Sequence, residues 1–208
     1  LVIIFVLIFS AYNIYSLGNA NKSTKQIINH ELKLLTMSQK IASDFTVGVA
    51  ASRGYLMTED DKHKGIFEDY MDDAEKVQKN MGELDTQNHD QLNQKAKQWR
   101  TTIEENVFPE YEAGHMEVAK KNLVDNTELG TEVRLQYEKL AQEREQNIEK
   151  LGKQMIKNNK STLMFSIILS ITVFLLSIIT ALRTAKSIAN PVKRIAERMK
   201  EMAEGDIS

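Results

Sequence analysis

The chain has 208 residues and a formal net charge of −2, with 27 basic and 29 acidic residues, so its charge balance gives no reason to expect a nucleic-acid partner. Cysteine is absent, which excludes disulfides, thiolate metal sites and thiol nucleophiles. Few aromatics, two prolines and a middle rich in Lys, Glu, Gln and Asn predict an all-α protein of long solvated helices.

Residues 1–17 are nearly all aliphatic or aromatic, slightly short for a bilayer core of ~30 Å at ~1.5 Å rise per residue. They predict a truncated first transmembrane helix in a fragment of a longer protein. Tyr12 and Tyr15 near its polar end suit the headgroup region. Gly18-Asn19-Ala20 also reads as a signal-peptide cleavage site, but no basic segment precedes the apolar run.

From Asn21 to Thr58, Ile28, Leu32, Leu35, Ala42, Phe45, Val49 and Leu56 recur at helical spacing. Ile27, Leu34 and Ile41 widen that face, enough for contact with a second subunit. Thr58 before Glu59-Asp60-Asp61 predicts the N-cap of a second helix. In that helix Phe67, Tyr70, Ala74, Val77, Met81 and Leu84 form an apolar seam, closing near Asp85-Thr86-Gln87-Asn88.

A third helix carries Leu92, Ala96, Trp99 and Ile103 and is kinked or ended by Pro109. Gly114 and Asp125-Asn126 predict a broken return with a short helix, Met116–Leu123, between them. The fourth helix is expected from about Thr127, with Val133, Tyr137, Leu140, Ile148, Leu151 and Met155 on one stripe. Four such helices with short connections predict an antiparallel up-down four-helix bundle over residues 18–160, its outer helices continuing into membrane spans.

Residues 161–182 carry no charge and are long enough to cross a bilayer. Basic residues flank this span on both sides, Lys157 and Lys160 before it and Arg183 and Lys186 after, so the positive-inside rule gives no clear orientation. In residues 183–208, Ile188, Pro191, Val192, Ile195, Met199 and Met202 follow steps that suit a parallel coiled-coil seam. Glu204-Gly205-Asp206-Ile207 reads as a helix stop and connector. The alternative for this segment is an amphipathic helix lying on anionic lipid.

The segment from Ile188 through Asp206 resembles the first helix and connector of a HAMP signal-relay module. With the layout of span, bundle, span and Arg53-Gly54-Tyr55-Leu56-Met57-Thr58, the whole chain resembles the sensory half of a bacterial methyl-accepting chemotaxis receptor. The resemblance implies that residues 183–208 are cytoplasmic and the bundle extracytoplasmic in a multi-pass protein of the bacterial cell membrane. It also implies a homodimer, possible in higher-order arrays, that senses a small molecule or a ligand-bound binding protein and controls a cytoplasmic kinase and adaptor. Ile188, Pro191, Ile195, Gly205 and Asp206 would relay the signal. Similar bundles occur on sensor histidine kinases and nucleotide cyclases, and a passive membrane-anchored scaffold is a third reading.

Candidate ligand-binding residues are Arg53, Tyr55 and Arg144. An inward guanidinium grips a carboxylate bidentately, though each arginine equally suits an internal salt bridge, and Tyr55 equally suits packing. His30, His63, His89 and His115 lack metal-ligand spacing, and no metal or other cofactor is expected. No glycine-rich phosphate loop, HExxH or Gly-x-Ser-x-Gly motif occurs, so the chain reads as non-enzymatic.

Overall fold

A computed structural model of the chain describes residues 2–85 and 89–203. These are helical almost throughout, and no strand occurs among them. They fall into two compact units, one from the described parts of Leu1–Lys22 and Gln154–Ser208 and the other from Ser23–Lys153.

The first unit pairs helix α1 (Val2–Gln26) with the C-terminal part of α6 (Met116–Ala203). Both contain stretches long and apolar enough to cross a membrane, with almost none of either stretch buried. Side by side, the rings of Tyr12 and Phe165 meet at a tilt of 51° with centroids 4.4 Å apart, and the hydroxyls of Ser16 and Thr162 lie 2.8 Å apart. Ser166 donates to Asn13 Oδ1 at 3.5 Å. Hydrogen-bonded polar side chains of this kind hold apolar helices together where water is scarce. Pro191 lies inside α6, which remains helical on both sides of it.

In the second unit, α1 passes through a π-helical turn, Ile27–Glu31, into α2 (Leu32–Thr58). Beyond this turn the buried stripe of α2 is Leu34, Ser38, Ile41, Phe45, Gly48, Ser52 and Tyr55. Ile28 and Leu32, expected on the core stripe, are exposed instead. The wider turn admits an extra residue and shifts the register, so Glu31 points inward where an apolar residue was expected.

Helix α2 ends at Thr58, as its periodicity predicts, but the cap of the next helix lies two residues beyond the expected one. Thr58 is its last residue and donates to the Gly54 carbonyl, Glu59 takes a left-handed conformation (φ 56°), and Asp60 is the cap of α3 (Asp61–Leu84). Asp60 accepts from the Lys62 amide at 2.9 Å, filling the role assigned to Thr58. Within α3, Met71 is buried and Tyr70 is on the surface beneath Lys40. Asp85 caps its end, and residues 86–88, where the turn was expected, lie outside the described residues.

Helix α4 (Asp90–Thr102) leads into a second π-helical turn, Ile103–Val107, and then α5 (Phe108–Glu112). In a regular helix the Pro109 ring would strike the carbonyl four residues earlier. The widened turn relieves that clash, so the proline is absorbed rather than breaking the chain direction. The reversal comes at Gly114, whose φ of +81° is strained for other residues.

The expected break at Asp125-Asn126 is not there. Helix α6 begins at Met116 and runs through it, because Asn126 Nδ2 donates to the Asn122 carbonyl and Thr127 Oγ1 to the Leu123 carbonyl. Polar side chains that bond back along the helix need no turn to satisfy them. The fourth helix therefore starts eleven residues before the expected Thr127, and no separate Met116–Leu123 helix exists.

An aromatic chain fills the core of this unit. Phe45 meets Trp99 at 5.3 Å, Trp99 meets Phe67 at 5.6 Å, Phe67 meets Phe108 at 5.2 Å, and Phe108 meets Tyr55 at 5.1 Å. These tilted and edge-to-face contacts link α2, α3, α4 and α5 and add to the burial that drives packing.

Candidate functional site

The three candidate ligand residues lie in different surroundings. Arg53 is exposed on the rim of a cavity of about 680 Å³, with Leu56, Met57, Lys120, Leu123 and Val124. Tyr55 is buried on another face of α2, its ring against Phe108 and Tyr111 and its hydroxyl donating to Glu112 at 3.3 Å. Gly54 between them makes room for α3, since a Cβ there would lie 2.8 Å from His63 Nδ1. The Arg53-Gly54-Tyr55-Leu56 run is thus explained by geometry: one outward residue, one close approach and two buried residues.

Arg144 is buried, and its charge is met inside the chain. Its Nη2 donates to Asp85 Oδ2 at 2.5 Å, and its Nη1 lies 3.6 Å from Glu31 Oε2. His89 Nε2 is 3.0 Å from the same Asp85 oxygen, His30 Nδ1 is 3.0 Å from Glu31 Oε1, and Asn147 donates to Glu31 Oε2 at 3.4 Å. The cluster ties α6 to the end of α3 and to the π turn before α2. Buried charges of this kind are tolerated only when paired and hydrogen-bonded.

The cavity with the most varied chemistry lies between α3 and α4, at about 640 Å³. Phe45, Met71, Ala74 and Ala96 lie beneath it as buried core, and Gln78 and Asn93 supply amides. The buried Tyr137 hydroxyl joins those amides, accepting from Gln78 Nε2 at 3.0 Å and donating to Asn93 Oδ1 at 2.7 Å. Burial pushes its pKa up to about 12, against the opposing bond from Gln78. Arg100 closes one end as a strap between helices, donating to Asp72 at 2.6 Å, Glu75 at 3.1 Å and Glu104 at 2.7 Å.

Four basic residues line this cavity, Lys76, Lys79, Lys97 and Arg100. Arg100 is occupied by its carboxylates, and Lys76 lies 3.5 Å from Asp73. Lys79 and Lys97 have no carboxylate within 4 Å among the described residues. None of these residues stands out in the sequence, because charged side chains are common all along both helices. Only the pairing of α3 with α4 brings them together.

Ile188, Val192, Ile195 and Met199 of α6 are all exposed, a seam with no covering surface in one chain. Gly205 and Asp206 lie outside the described residues. Among the described residues, no group of three or more His, Asp or Glu side chains is placed to hold a metal ion. Compared with protein-family models, curated proteins and solved structures, the chain matches none.

Proposed function

We propose that this chain is the sensing half of a bacterial transmembrane chemoreceptor, acting as a homodimer and doing no chemistry of its own. In this reading residues 18–160 form an extracytoplasmic four-helix bundle, residues 1–17 and 161–182 cross the cell membrane, and residues 183–208 begin a cytoplasmic HAMP relay. A small molecule, or a binding protein carrying one, engages the bundle. The response passes along α6 to a kinase and adaptor through a further C-terminal part.

The observation that carries the reading is the pair of exposed apolar stretches, near the N-terminus and in α6, that flank in sequence a helical unit with its own core and cavities. The uncovered seam from Ile188 to Met199 supports a second copy, since such a stripe needs a partner helix to exclude water. A relay needs only a displacement of about an ångström or two between two packings of that seam.

The absence of native cysteine gives a clean test. Single cysteines at Ile167, Ile171 and Phe174 of the full chain, reconstituted in vesicles, are expected to crosslink between copies at positions on one helix face. A compound that raises the melting temperature should change the rate. No crosslinking between copies at any position, or rates indifferent to every stabilising compound, would remove the dimeric relay.

A further inference from the structure

We propose that α6 carries a site for an anionic phospholipid at the head of its apolar stretch: Lys157, Lys160 and Ser161 hold the headgroup phosphate, and an acyl chain lies along Met164, Ile168 and Leu175. The site rests on the reading of residues 161–182 as a membrane span and gives that span a lipid partner.

Helical spacing places these residues together. Lys157, Ser161, Met164 and Ile168 follow each other at steps of four, three and four, so they share one flank of α6. Lys160 is three residues from Lys157, close enough for both ammonium groups to reach one phosphate. The flank is uncovered: both lysines and Ser161 are exposed, and Met164, Ile168 and Leu175 are 56%, 60% and 53% exposed. Met164 to Leu175 spans about 16 Å at ~1.5 Å per residue, the depth of one leaflet of a ~30 Å core. A cationic head directly above an apolar stripe matches a molecule with an anion at one end and a chain at the other.

The head of the site has donors to spare. No Asp or Glu occurs between Glu149 and Glu197, and Glu149 is held by Lys153 at 2.5 Å. Lys157 and Lys160 make no ion pair among the described residues. Thr162 spends its hydroxyl on the Asn158 carbonyl at 3.0 Å, whereas the neighbouring Ser161 hydroxyl makes no hydrogen bond among the described residues. Two ammonium groups and a hydroxyl are thus available for phosphate oxygens.

Charge and shape select the lipid. A zwitterionic lipid would bring its own cation to the lysines, and free phosphate would leave the apolar stripe uncovered. On the orientation proposed above, both lysines lie on the translocated side, where basic residues are disfavoured; an anionic headgroup offsets that cost. The flank is centred about a quarter-turn around the helix from the face of Ile167, Ile171 and Phe174, where two copies are expected to meet, so lipid and second copy do not compete.

Because the chain has no native cysteine, a fluorescent label can be placed at Ile168→Cys, or at Leu163→Cys on another face of the same leaflet, in the full chain reconstituted in phosphatidylcholine vesicles. Brominated acyl chains quench a nearby label, so titrating brominated phosphatidylglycerol or brominated phosphatidylcholine reads which lipid occupies each flank. Phosphatidylglycerol is expected to be preferred about tenfold at Ile168, with no such preference at Leu163. The Lys157→Gln/Lys160→Gln double variant should abolish the preference while keeping the melting temperature, because both lysines are exposed. Equal quenching by both lipids at Ile168, an equal preference at Leu163, or a preference that survives the double variant overturns the proposal. Loss of the preference on adding soluble glycerol phosphate also overturns it, by making this a site for free phosphate. No quenching by either lipid at either position would remove the span, and the site with it. A lipid preference without any crosslinking response to a stabilising compound would keep this site and overturn the sensor reading.

Discussion

The indole of Trp99 lies directly on the backbone of Gly130: a Cβ at that glycine would sit 2.6 Å from both Cε2 and Nε1. Across the ring, a Cβ at Gly48 would come 3.4 Å from Trp99 Cη2 and 2.7 Å from the Met71 methyl. One fully buried tryptophan on α4 is therefore clasped between bare backbone of α6 and of α2. The two glycines weaken their helices locally, but they allow the three helices to approach the largest side chain in the core.

This close approach predicts that Gly130→Ala destabilises the chain by about 1–3 kcal/mol, because the rigid indole cannot give way as a flexible side chain would. Gly65→Ala is the control, since nothing lies within 4 Å of a Cβ there. It should be neutral or stabilising by up to about 1 kcal/mol. Urea unfolding of both variants, followed by tryptophan fluorescence, checks the pair.

Arg144→Ala leaves Asp85 and Glu31 buried without the guanidinium that neutralises them, and should cost about 3–5 kcal/mol. Adding Asp85→Asn should recover part of that loss, because one of the uncompensated charges is gone. A double-mutant cycle reads the coupling, and additive losses would mean that the contact contributes little.

Arg53→Ala is expected to change stability by no more than about 0.5 kcal/mol, since the side chain is exposed on a cavity rim. A larger loss in the same unfolding assay would assign Arg53 a packing role that its position does not indicate.

Tyr137→Phe removes the hydroxyl between Gln78 and Asn93 and should cost about 1 kcal/mol, the usual net value of a hydrogen bond. Urea unfolding of the variant checks the loss, and unchanged stability would mean that the two bonds contribute nothing net.

The Asp44 carboxyl is pushed above its ordinary value of 3.8, because burial outweighs the bond from Lys40 at 2.5 Å. The folded form therefore holds this proton more tightly than the unfolded form. Its stabilising contribution is full below pH ~3.8 and is lost as pH rises through the folded value. Relative to Asp44→Asn, the wild type should be most favoured near pH 3.5 and lose that advantage toward neutrality. Melting curves across this interval check the sign, and a difference independent of pH would mean that Asp44 does not titrate as its burial requires.

Much of the helical layout was legible because its cues are local. Charge-free residues 161–182, the steps of three and four in α3, and Gly114 at a reversal each act within a few residues. The errors have local causes too. Thr58 and Asp125-Asn126 carry side chains that can either cap a helix or bond back along one, and nothing nearby decides between those uses. Pro109 signalled a disturbance, but the π turn that absorbs it has no sequence signature of its own.

Composition and periodicity alone determined that the chain is helical and that it contains two stretches suited to a membrane, since both follow from hydrogen bonding and hydropathy along one segment. Tertiary structure alone decided which stripe of α2 is buried, that Arg144 is neutralised by Asp85 and Glu31, and that Arg53 and Tyr55 face different surroundings. It also created the α3–α4 cavity. Residues as far apart as Gln78, Asn93 and Tyr137 become neighbours only when helices pack, and that packing depends on shape across helices, which a single segment does not encode.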